Sequence, residues 1–579
     1  MKNRPNVVSI LLAAAGALLG CLCAAAIMGG SLLVWLPVGV LVCVPAVCFW
    51  QQTDRRLKTC FGLLGMAFVI ATALGVRLDL AQHTGWDGVL YSLGAGVGLG
   101  ACAGQWAIWL DQGIRKLRRP IGLTPRKAFW VVFAACVLCW LPVYLAYFPG
   151  VTGYDMDGQM WMITSGEYTA HHPLLHTLFL QVCIRLGEWL VGSTTIGYGI
   201  HTTIQYLLLA GSMAYTMRWL CKARCHVVLW WALAAFFALS PQNAMLSIGG
   251  TKDILFAAAF LMVCVEMIRF LTEEDRMARL RVWVCDILLI LLACLLRNNA
   301  IYALLAVFML GVVFFRKKLG VRVLAVLLAG IVLTYAGEAL LQKATNAKDG
   351  SVREMLCIPC QQLGRVYHLH GLNVPVGYEC REVMPFVDDY SPERADFTKR
   401  QAQVDTTDRL IRFLKLWLRE SVNFPIEYLD GFLFTSKGYW DIHDLSYSTI
   451  YDRIDPNQPR GAIVMLHYDG LGIDEMGCWP QVKEWCHELV TYNGYQRNPV
   501  LWLLLHPAFY SWMLLFVLTG AWYRRQKAQL LSGGLALFYL LTLLLGPCVL
   551  VRYQYYLMLI APTLLVSLTT NEKGSSIHD

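Results

Sequence analysis

The chain alternates between long apolar runs and short polar connections. Runs of about 20 apolar residues are long enough for a helix to cross a bilayer, and fourteen of them can be placed along the sequence. They cover residues 7–29, 31–50, 59–77, 88–110, 128–148, 199–219, 226–241, 253–271, 283–297, 299–315, 321–341, 499–520, 529–546 and 549–568. The pattern predicts an all-α polytopic membrane protein with about 14 transmembrane helices.

One more apolar stretch, residues 174–191, is predicted to lie along the membrane surface. It carries Arg185 and Glu188, and charges inside a bilayer are expensive. A crossing at this point would also invert every later loop. We therefore expect residues 149–198 to form one outer loop that contains an amphipathic surface helix.

Charge is distributed unevenly along the chain, and this distribution predicts orientation. Residues 342–498 hold 17 Lys and Arg and 22 Asp and Glu, a net of −5, and because the whole chain carries +9 this leaves +14 for the rest. Basic clusters lie at 111–127, 316–318 and 524–527. Short basic loops stay on the cytoplasmic side of a membrane, facing anionic lipid. We expect a plasma-membrane protein with both termini in the cytoplasm, and the basic excess gives no reason to expect nucleic-acid binding.

Four regions follow from this pattern. They are extra N-terminal transmembrane helices at 1–127, a transmembrane core at 128–341, an extracytoplasmic mixed or helical domain at 342–498, and C-terminal helices with a short cytoplasmic tail at 499–579. The extracytoplasmic domain contains five cysteines, Cys357, Cys360, Cys380, Cys478 and Cys486. One or two disulfides are expected on an oxidising face; a zinc site is a weaker alternative.

The first outer loop concentrates acids and histidines next to a membrane span. Asp155 and Asp157 follow the fifth predicted span, and His171 and His172 come shortly after them. Outer loops are often merely polar, but this one is otherwise rich in apolar residues. A partly desolvated carboxylate at a membrane rim is suited to act as a general base or to hold a metal.

Three other outer positions supply opposite charge. The segment "TKDILFA" contains Lys252 and Asp253, "LLRNNA" contains Arg297 and Asn298, and "VRYQYY" contains Arg552 and Tyr553. A single cation at a helix end usually extends toward water without further function. Acids in one loop and cations in three others on the same side together predict a pocket for a negatively charged head group.

These motifs resemble those of known membrane proteins. "PGVTGYDMDGQ" followed by "HHPLLHTL" and a surface helix resembles the first outer loop of C-type membrane glycosyltransferases, which include protein O-mannosyltransferases and lipid A aminoarabinose transferases. "TKDILFA" and "RYQYY" are similar to later outer motifs of that superfamily. The combination of "D…Q", "HP.L.T" and "KD.LFA" patterns also resembles bacterial membrane proteins of the DUF6020 type.

The resemblance implies a core of the C-type glycosyltransferase fold and a reaction. Such enzymes move a sugar from a polyprenyl-phosphate carrier to a glycan, lipid or protein acceptor of the cell envelope. Asp155 matches the catalytic acidic residue of the family, since it stands four residues before Gln159 as in the "D…Q" pattern. Asp157 is the second choice, because this chain has "YDMDGQ" where the transferases have a "DE…Y"-like pattern. The substrate-binding residues implied are Gln159, His171, His172, Lys252, Asp253, Arg297, Asn298, Arg552 and Tyr553. No cofactor is implied with certainty, and a divalent metal is possible.

Two other kinds of protein fit parts of the pattern. Charged residues in membrane segments also mark the paths of transporters and lipid flippases, although those proteins usually show internal repeats and broken helices that meet at the midplane. A polymerase or ligase of surface polysaccharide would use similar chemistry on a different fold. Convergence of Asp155, Lys252, Arg297 and Arg552 on one cavity would favour the transferase.

Overall fold

The computed structural model describes residues 6–29, 31–80, 85–153, 155–273, 279–385, 387–445, 450–451, 459–460, 462–467 and 470–570. The helices are α1 Val7–Met28, α2 Leu32–Trp50, α3 Arg55–Leu80, α4 Trp86–Lys116, α5 Pro125–Ala146, α6 Met156–Ser165, α7 Leu174–Val191, α8 Thr194–Lys222, α9 Val227–Leu239, α10 Pro241–Ser247, α11 Lys252–Thr272, α12 Leu280–Leu296, α13 Ala300–Leu310, α14 Arg316–Thr345, α15 Cys357–His370, α16 Pro375–Val383, α17 Ala395–Gln401, α18 Thr407–Asn423, α19 Pro425–Ser436, α20 Pro480–Cys486, α21 Pro499–Leu505, α22 Pro507–Arg524, α23 Lys527–Leu543 and α24 Val551–Ser567. Strands β1 Ile450–Tyr451 and β2 Pro459–Arg460 form one short antiparallel ladder.

The predicted all-α membrane class is confirmed. A helix lies at each of the fourteen predicted positions. Among the described residues, seven helices are long and apolar enough to cross a membrane, or up to nine if each bent helix pair counts as one span. Some of the others are short for a hydrocarbon core of about 30 Å, since α12 and α23 have 17 residues each. The number fourteen therefore stays a prediction.

Hydrogen bonds between connections define two ends of the helix bundle. At one end, the Val151 amide donates to the carbonyl of Ile248 at 3.0 Å, and the Tyr198 hydroxyl donates to the carbonyl of Val151 at 2.7 Å. At the other end, the Ile121 amide donates to the carbonyl of Cys225 at 3.1 Å. Helices α5, α8 and the α9–α10 pair therefore each run between what we call the Val151 end and the Ile121 end.

Two of the predicted basic loops share the Ile121 end. Arg524, at the end of α22, donates to the buried carboxylate of Asp111 in α4, with 3.0 Å from Nη1 to Oδ1. Residues 111–127 lead directly from this ion pair to Ile121. The shared location agrees with the prediction that both loops face one side of the membrane. Residues 1–5 and 571–579, and with them the two termini, lie outside the described residues.

Helix α7 begins and ends at the Val151 end. Just before its start, Nδ1 of His172 lies 3.4 Å from Nζ of Lys252, close to the Val151 end of α11. Near its other end, Gly187 packs so tightly on Gly197 of α8 that a Cβ at Gly187 would lie 2.2 Å from the Gly197 amide nitrogen. By length and composition α7 could cross a membrane. Both of its ends nevertheless lie on one side of the bundle, which agrees with the predicted surface helix; its angle to the bilayer stays a prediction.

The four N-terminal helices pack as a unit and are tied to residues 342–498, the region predicted to be extracytoplasmic. Helices α3 and α4 approach through glycines, and a Cβ at Gly65 would lie 2.4 Å from the amide nitrogen of Gly104. At the far end of α3, the buried Arg77 guanidinium contacts the Asp430 carboxylate at 2.6 Å. Desolvated ion pairs need this kind of direct partner, so the contact fixes α3 against α19.

The domain at 342–498 is mainly helical in its described part and has its own apolar core. Helices α15 to α19 surround buried residues that include Leu363, Val366, Phe413 and Leu416. The disulfides expected here are absent, since all 20 cysteines of the chain are free thiols. Four of the five cysteines in this region are buried among packed side chains, where a thiol acts as a small apolar group.

This domain covers the Val151 end from two sides. On one side, the Gly153 amide donates to the carbonyl of Leu466 at 2.9 Å. On the other, the Ala395 amide donates to the carbonyl of Pro547 at 2.7 Å, just before α24 begins. The domain thus touches both the loop at 149–198 and the entry to the last helix.

Candidate functional site

Asp155 lies at the N-terminal end of α6, directly after the loop that leaves α5. Its Oδ2 atom accepts from Nζ of Lys252 at 2.6 Å and from Nη1 of Arg552 at 3.1 Å. Its Oδ1 atom accepts from Nη2 of Arg552 at 3.2 Å. Three segments far apart in sequence therefore meet at one carboxylate. The Asp155 side chain is 20% exposed, so one edge of the carboxylate faces the outside of the protein.

A second carboxylate lies deeper in the same cluster. Asp253 is buried, and its Oδ1 atom accepts from Nε of Arg297 at 2.6 Å. Its Oδ2 atom accepts from the Thr251 hydroxyl at 2.9 Å and lies 3.4 Å from Nη1 of Arg552. Arg552 thus connects the two aspartates, Asp155 and Asp253.

Tyr553 holds the two guanidinium groups in place. The guanidinium carbon of Arg297 lies 4.8 Å from the centre of the Tyr553 ring, and that of Arg552 lies 4.9 Å from it. Both distances are within the range of cation–π attraction. The ring therefore restricts both arginines beside the carboxylates.

The cluster has a net positive character. It combines the cations of Lys252, Arg297 and Arg552 with the carboxylates of Asp155 and Asp253. Helices α6, α11 and α24 also begin at this cluster, and helix N-termini carry partial positive charge. Exposed amide groups at such helix starts bind anions. The arrangement suits a ligand with a negatively charged group.

The electrostatic surroundings keep Asp155 ionised and His172 neutral. Burial alone would raise the pKa of the Asp155 carboxyl, but the cations of Arg552 and Lys252 outweigh it and hold that pKa well below its usual range. Burial, assisted by the Lys252 cation, lowers the pKa of His172 to about 3. A neutral His172 can accept a hydrogen bond from Lys252 through Nδ1, at 3.4 Å.

Some predicted site residues lie outside this cluster. Asp157 is exposed, and the exposed Asn298 side chain donates to Glu338 at 3.3 Å. His171 is exposed and packs edge-on against His172, with 4.6 Å between ring centres. Gln159 is buried on the inner side of α6. The two-residue offset between Asp155 and Asp157 places one carboxylate in the cluster and the other at the surface.

The structure adds residues that the sequence-based prediction missed. Thr251 bridges Asp253 and Arg552, and the Arg552 Nη1 atom lies 3.2 Å from its hydroxyl. A Thr two residues before an Asp at the start of an apolar run is a helix N-cap signal that could have revealed it. Beneath the cluster, His176 contacts Gln159 at 3.0 Å and lies 5.2 Å from the ring of His201. No local signal marks His201, which lies within an apolar helix.

No metal site is evident in the part of the chain that the structure describes. No group of three or more His, Cys, Asp or Glu side chains there is arranged to hold a metal ion. The possible divalent metal therefore gains no support from the geometry of the cluster.

The fold and the cluster define a multi-pass helical membrane protein with an anion-compatible site at one end of its bundle. Residues 159–578 match the family described as "Family of unknown function (DUF6020)". The chain belongs to this family, as the resemblance of its motifs predicted. Asp155 and Asp157 lie just before the matched region. No curated protein and no solved structure matches the chain.

Proposed function

We propose that this protein is a membrane glycosyltransferase that moves a sugar from a polyprenyl-phosphate carrier to a cell-envelope acceptor on the outer face of the membrane. The observation that supports it most directly is the meeting of Asp155 with Lys252 and Arg552, with Arg297 next to them. A transferase of this kind needs a carboxylate base beside cations that receive a phosphate leaving group. The C-type glycosyltransferase fold is part of the same proposal.

The proposed step uses each group once. The acceptor hydroxyl gives its proton to the Asp155 carboxylate while its oxygen forms a bond to the first carbon of the sugar. The bond from that carbon to the phosphate oxygen breaks, and the carrier phosphate leaves with the electron pair. Lys252 and Arg552 stabilise the charge that develops on the phosphate. Arg297 is held by Asp253 and adds positive potential.

The extracytoplasmic domain is suited to select the acceptor. It contacts the chain on both sides of the cluster, at Gly153 and at Pro547. A glycan, lipid or protein acceptor approaching from outside would meet this domain before it reached Asp155. This position supports a role for the domain in acceptor choice, and the carrier lipid would bind the membrane helices.

The test compares two neighbouring carboxylates. Asp155→Asn keeps the size of the side chain but removes the base, and loss of a general base lowers rates by roughly 10²–10⁴-fold. Asp157→Asn is the matched control, because Asp157 is exposed and outside the cluster. Sugar transfer from a polyprenyl-phosphate donor in liposomes should be abolished in Asp155→Asn and largely kept in Asp157→Asn. Full transfer by Asp155→Asn would remove the catalytic assignment.

One feature of the fold favours a second candidate, a transporter or lipid flippase. Helices α9 and α10 meet at 46° and α21 and α22 at 71°, and broken helices are common in transporters. The α9–α10 break leads into the segment that carries Lys252. A flippase would move a fluorescent polyprenyl-phosphate lipid between leaflets of a liposome without an acceptor, whereas a transferase would release the carrier phosphate only when an acceptor is present.

A further inference from the structure

Asp155 forms ion pairs with both cations on the outer side of the cluster, Lys252 and Arg552. Its two carboxylate oxygens take one hydrogen bond from Lys252 and two from Arg552, at 2.6, 3.1 and 3.2 Å. The two donor side chains are mostly buried, with 9% and 8% of their surfaces exposed. A bidentate guanidinium–carboxylate contact has the same geometry as a guanidinium–phosphate contact. Asp155 therefore occupies donor groups that a phosphate would use.

Arg552 has other contacts in the cluster that hold its guanidinium in place if its bonds to Asp155 are broken. Arg552 lies 3.4 Å from the buried Asp253 carboxylate and 3.2 Å from the Thr251 hydroxyl. The Tyr553 ring restricts its guanidinium plane. These contacts do not involve Asp155, so the arginine stays positioned if its bonds to Asp155 are released.

We propose that in the ligand-free protein Asp155 occupies the position of the carrier phosphate, and that a phosphodiester entering the site takes over hydrogen bonds from Arg552 and Lys252 and thereby frees Asp155 to act. The inference rests on the proposed function for the identity of the ligand, a lipid phosphodiester.

Two consequences follow for the reaction. A carboxylate that two cations hold is a weak base, and an anion that shares those cations makes it a stronger one. The donor must therefore bind before Asp155 can accept a proton from the acceptor. In the ligand-free protein, for the same reason, Asp155 stays paired with Lys252 and Arg552 and is a poor base.

A binding experiment tests the exchange without requiring sugar transfer. The probe is a methyl phosphodiester of undecaprenol, whose single negative charge does not change with pH, measured on the full chain in nanodiscs. Asp155→Asn removes the competing charge, and we expect it to bind the probe at least about tenfold more tightly than the unaltered protein. Asp157→Asn, the exposed control, should bind as the unaltered protein does. Arg552→Ala should bind more weakly.

Two further probes identify the chemistry that is recognised. Undecaprenol without phosphate should show no gain in Asp155→Asn, since it has no group to compete for Arg552. Dimethyl phosphate, the free phosphodiester, should show the same gain as the lipid if the site recognises the phosphate itself. A gain with undecaprenol would mean that the substitution acts on lipid packing, and would overturn the exchange.

A second measurement covers the case in which Asp155→Asn does not fold. In the unaltered protein a bound phosphodiester favours the protonated carboxyl of Asp155, so binding takes up a proton and affinity should rise as pH falls toward about 4. Besides Lys252 and Arg552, the titratable groups that interact electrostatically with Asp155 among the described residues include His172, His176 and Tyr553. His172→Asn should keep the rise, because the proton is taken up at Asp155 and not at His172.

The outcomes separate this inference from the proposed function. Equal or weaker binding of the lipid phosphodiester by folded Asp155→Asn would overturn the exchange, as would affinity independent of pH in the unaltered protein. Tighter, pH-independent binding by Asp155→Asn supports the exchange even if no sugar is transferred. Absence of sugar transfer with every donor and acceptor would overturn the transferase alone.

Discussion

The neighbours of His172 change the pKa of its imidazole. Its imidazole lies beside the Lys252 ammonium and is largely buried, and burial together with that cation lowers its pKa to about 3. A close approach to α6 makes this burial possible, since a Cβ at Gly158 would lie 3.0 Å from Nε2 of His172. A larger residue at Gly158 would push the imidazole away from the cluster.

The lowered pKa of His172 predicts how the stability of the folded protein depends on pH. The pKa of an unfolded histidine is about 6.5, so between about pH 3 and pH 6.5 the unfolded chain binds more protons at His172 than the folded one does. Stability therefore rises with pH across that window and is independent of this group above it. The apparent melting temperature of the purified protein should fall as pH is lowered from about 7 to about 4.

His172→Asn should reduce the fall because it removes the titrating ring and keeps a polar atom near the position of Nδ1. His171→Asn is the matched control, since His171 is exposed and should leave the pH dependence unchanged. A fall in His172→Asn as steep as in the unaltered protein would show that other groups cause it.

The sequence predicted most residues of the site but not their contacts. Asp155, Lys252, Arg297 and Arg552 are polar residues at the ends of apolar runs, and this local signal is readable along one chain. Which aspartate joins the cluster depends on where α6 begins, because successive helical residues differ by about 100°. The bond of Arg297 to Asp253 rather than Asp155 depends on packing between helices, which no local pattern encodes.

At the scale of the helices, α7 and α8 come into close contact through glycine residues. Gly187 of α7 packs against the backbone of α8, where an added Cβ would lie 2.2 Å from the Gly197 amide nitrogen. Backbone atoms cannot move aside as a flexible side chain can, so Gly187→Ala should separate α7 from α8. We expect overpacking of about 1–3 kcal/mol, measured as a lower apparent melting temperature in detergent.

Gly211→Ala provides the matched control for this prediction. Gly211 lies in α8, and a Cβ there meets no atom within 4 Å. Replacing a helical glycine by alanine should be neutral or stabilise by roughly 0.5–1 kcal/mol. If the two variants melt at the same temperature, the contact between α7 and α8 is looser than the structure shows.

Hydropathy located the helices but did not reveal where they break. The predicted span 226–241 covers α9 and ends where the chain bends at Ser240, and the short helix α10 that continues from Pro241 was not predicted. The predicted span 499–520 divides into two helices at His506, before Pro507. A proline starts a helix well and interrupts one, so both breaks had a sequence signal that averaged hydropathy does not detect.

At the scale of the whole molecule, distant regions are joined by buried charges. Lys437, in the domain at 342–498, contacts Asp79 at the end of α3, near the pair of Arg77 with Asp430. These partners are more than 350 residues apart. The separation explains why charge counts, which predict only a side of the membrane for the domain, did not predict its contact with the N-terminal helices.

The contacts also constrain topology for the chain as a whole. Asp155 and Lys252 touch, so the segment between them must cross the membrane an even number of times. Helix α8 and the α9–α10 pair supply two passages between the ends of the bundle, and a crossing by α7 would add a third. The surface placement of α7 is therefore tied to the site itself.

Labelling intact cells with a membrane-impermeant maleimide tests this sidedness. Cys478 is exposed. Its amide donates a hydrogen bond to the carbonyl of Leu145 near the end of α5, which places Cys478 at the Val151 end. We expect Cys478 to be labelled from outside and Cys478→Ser to lose that label. Lys116→Cys in the Cys478→Ser background should react only after the cells are opened, because the exposed Lys116 lies at the Ile121 end. Labelling of the Lys116→Cys variant in intact cells, together with no labelling of Cys478 in the unaltered protein, would place the Asp155 cluster on the cytoplasmic side. A carrier lipid acting outside the cell would then be the wrong ligand.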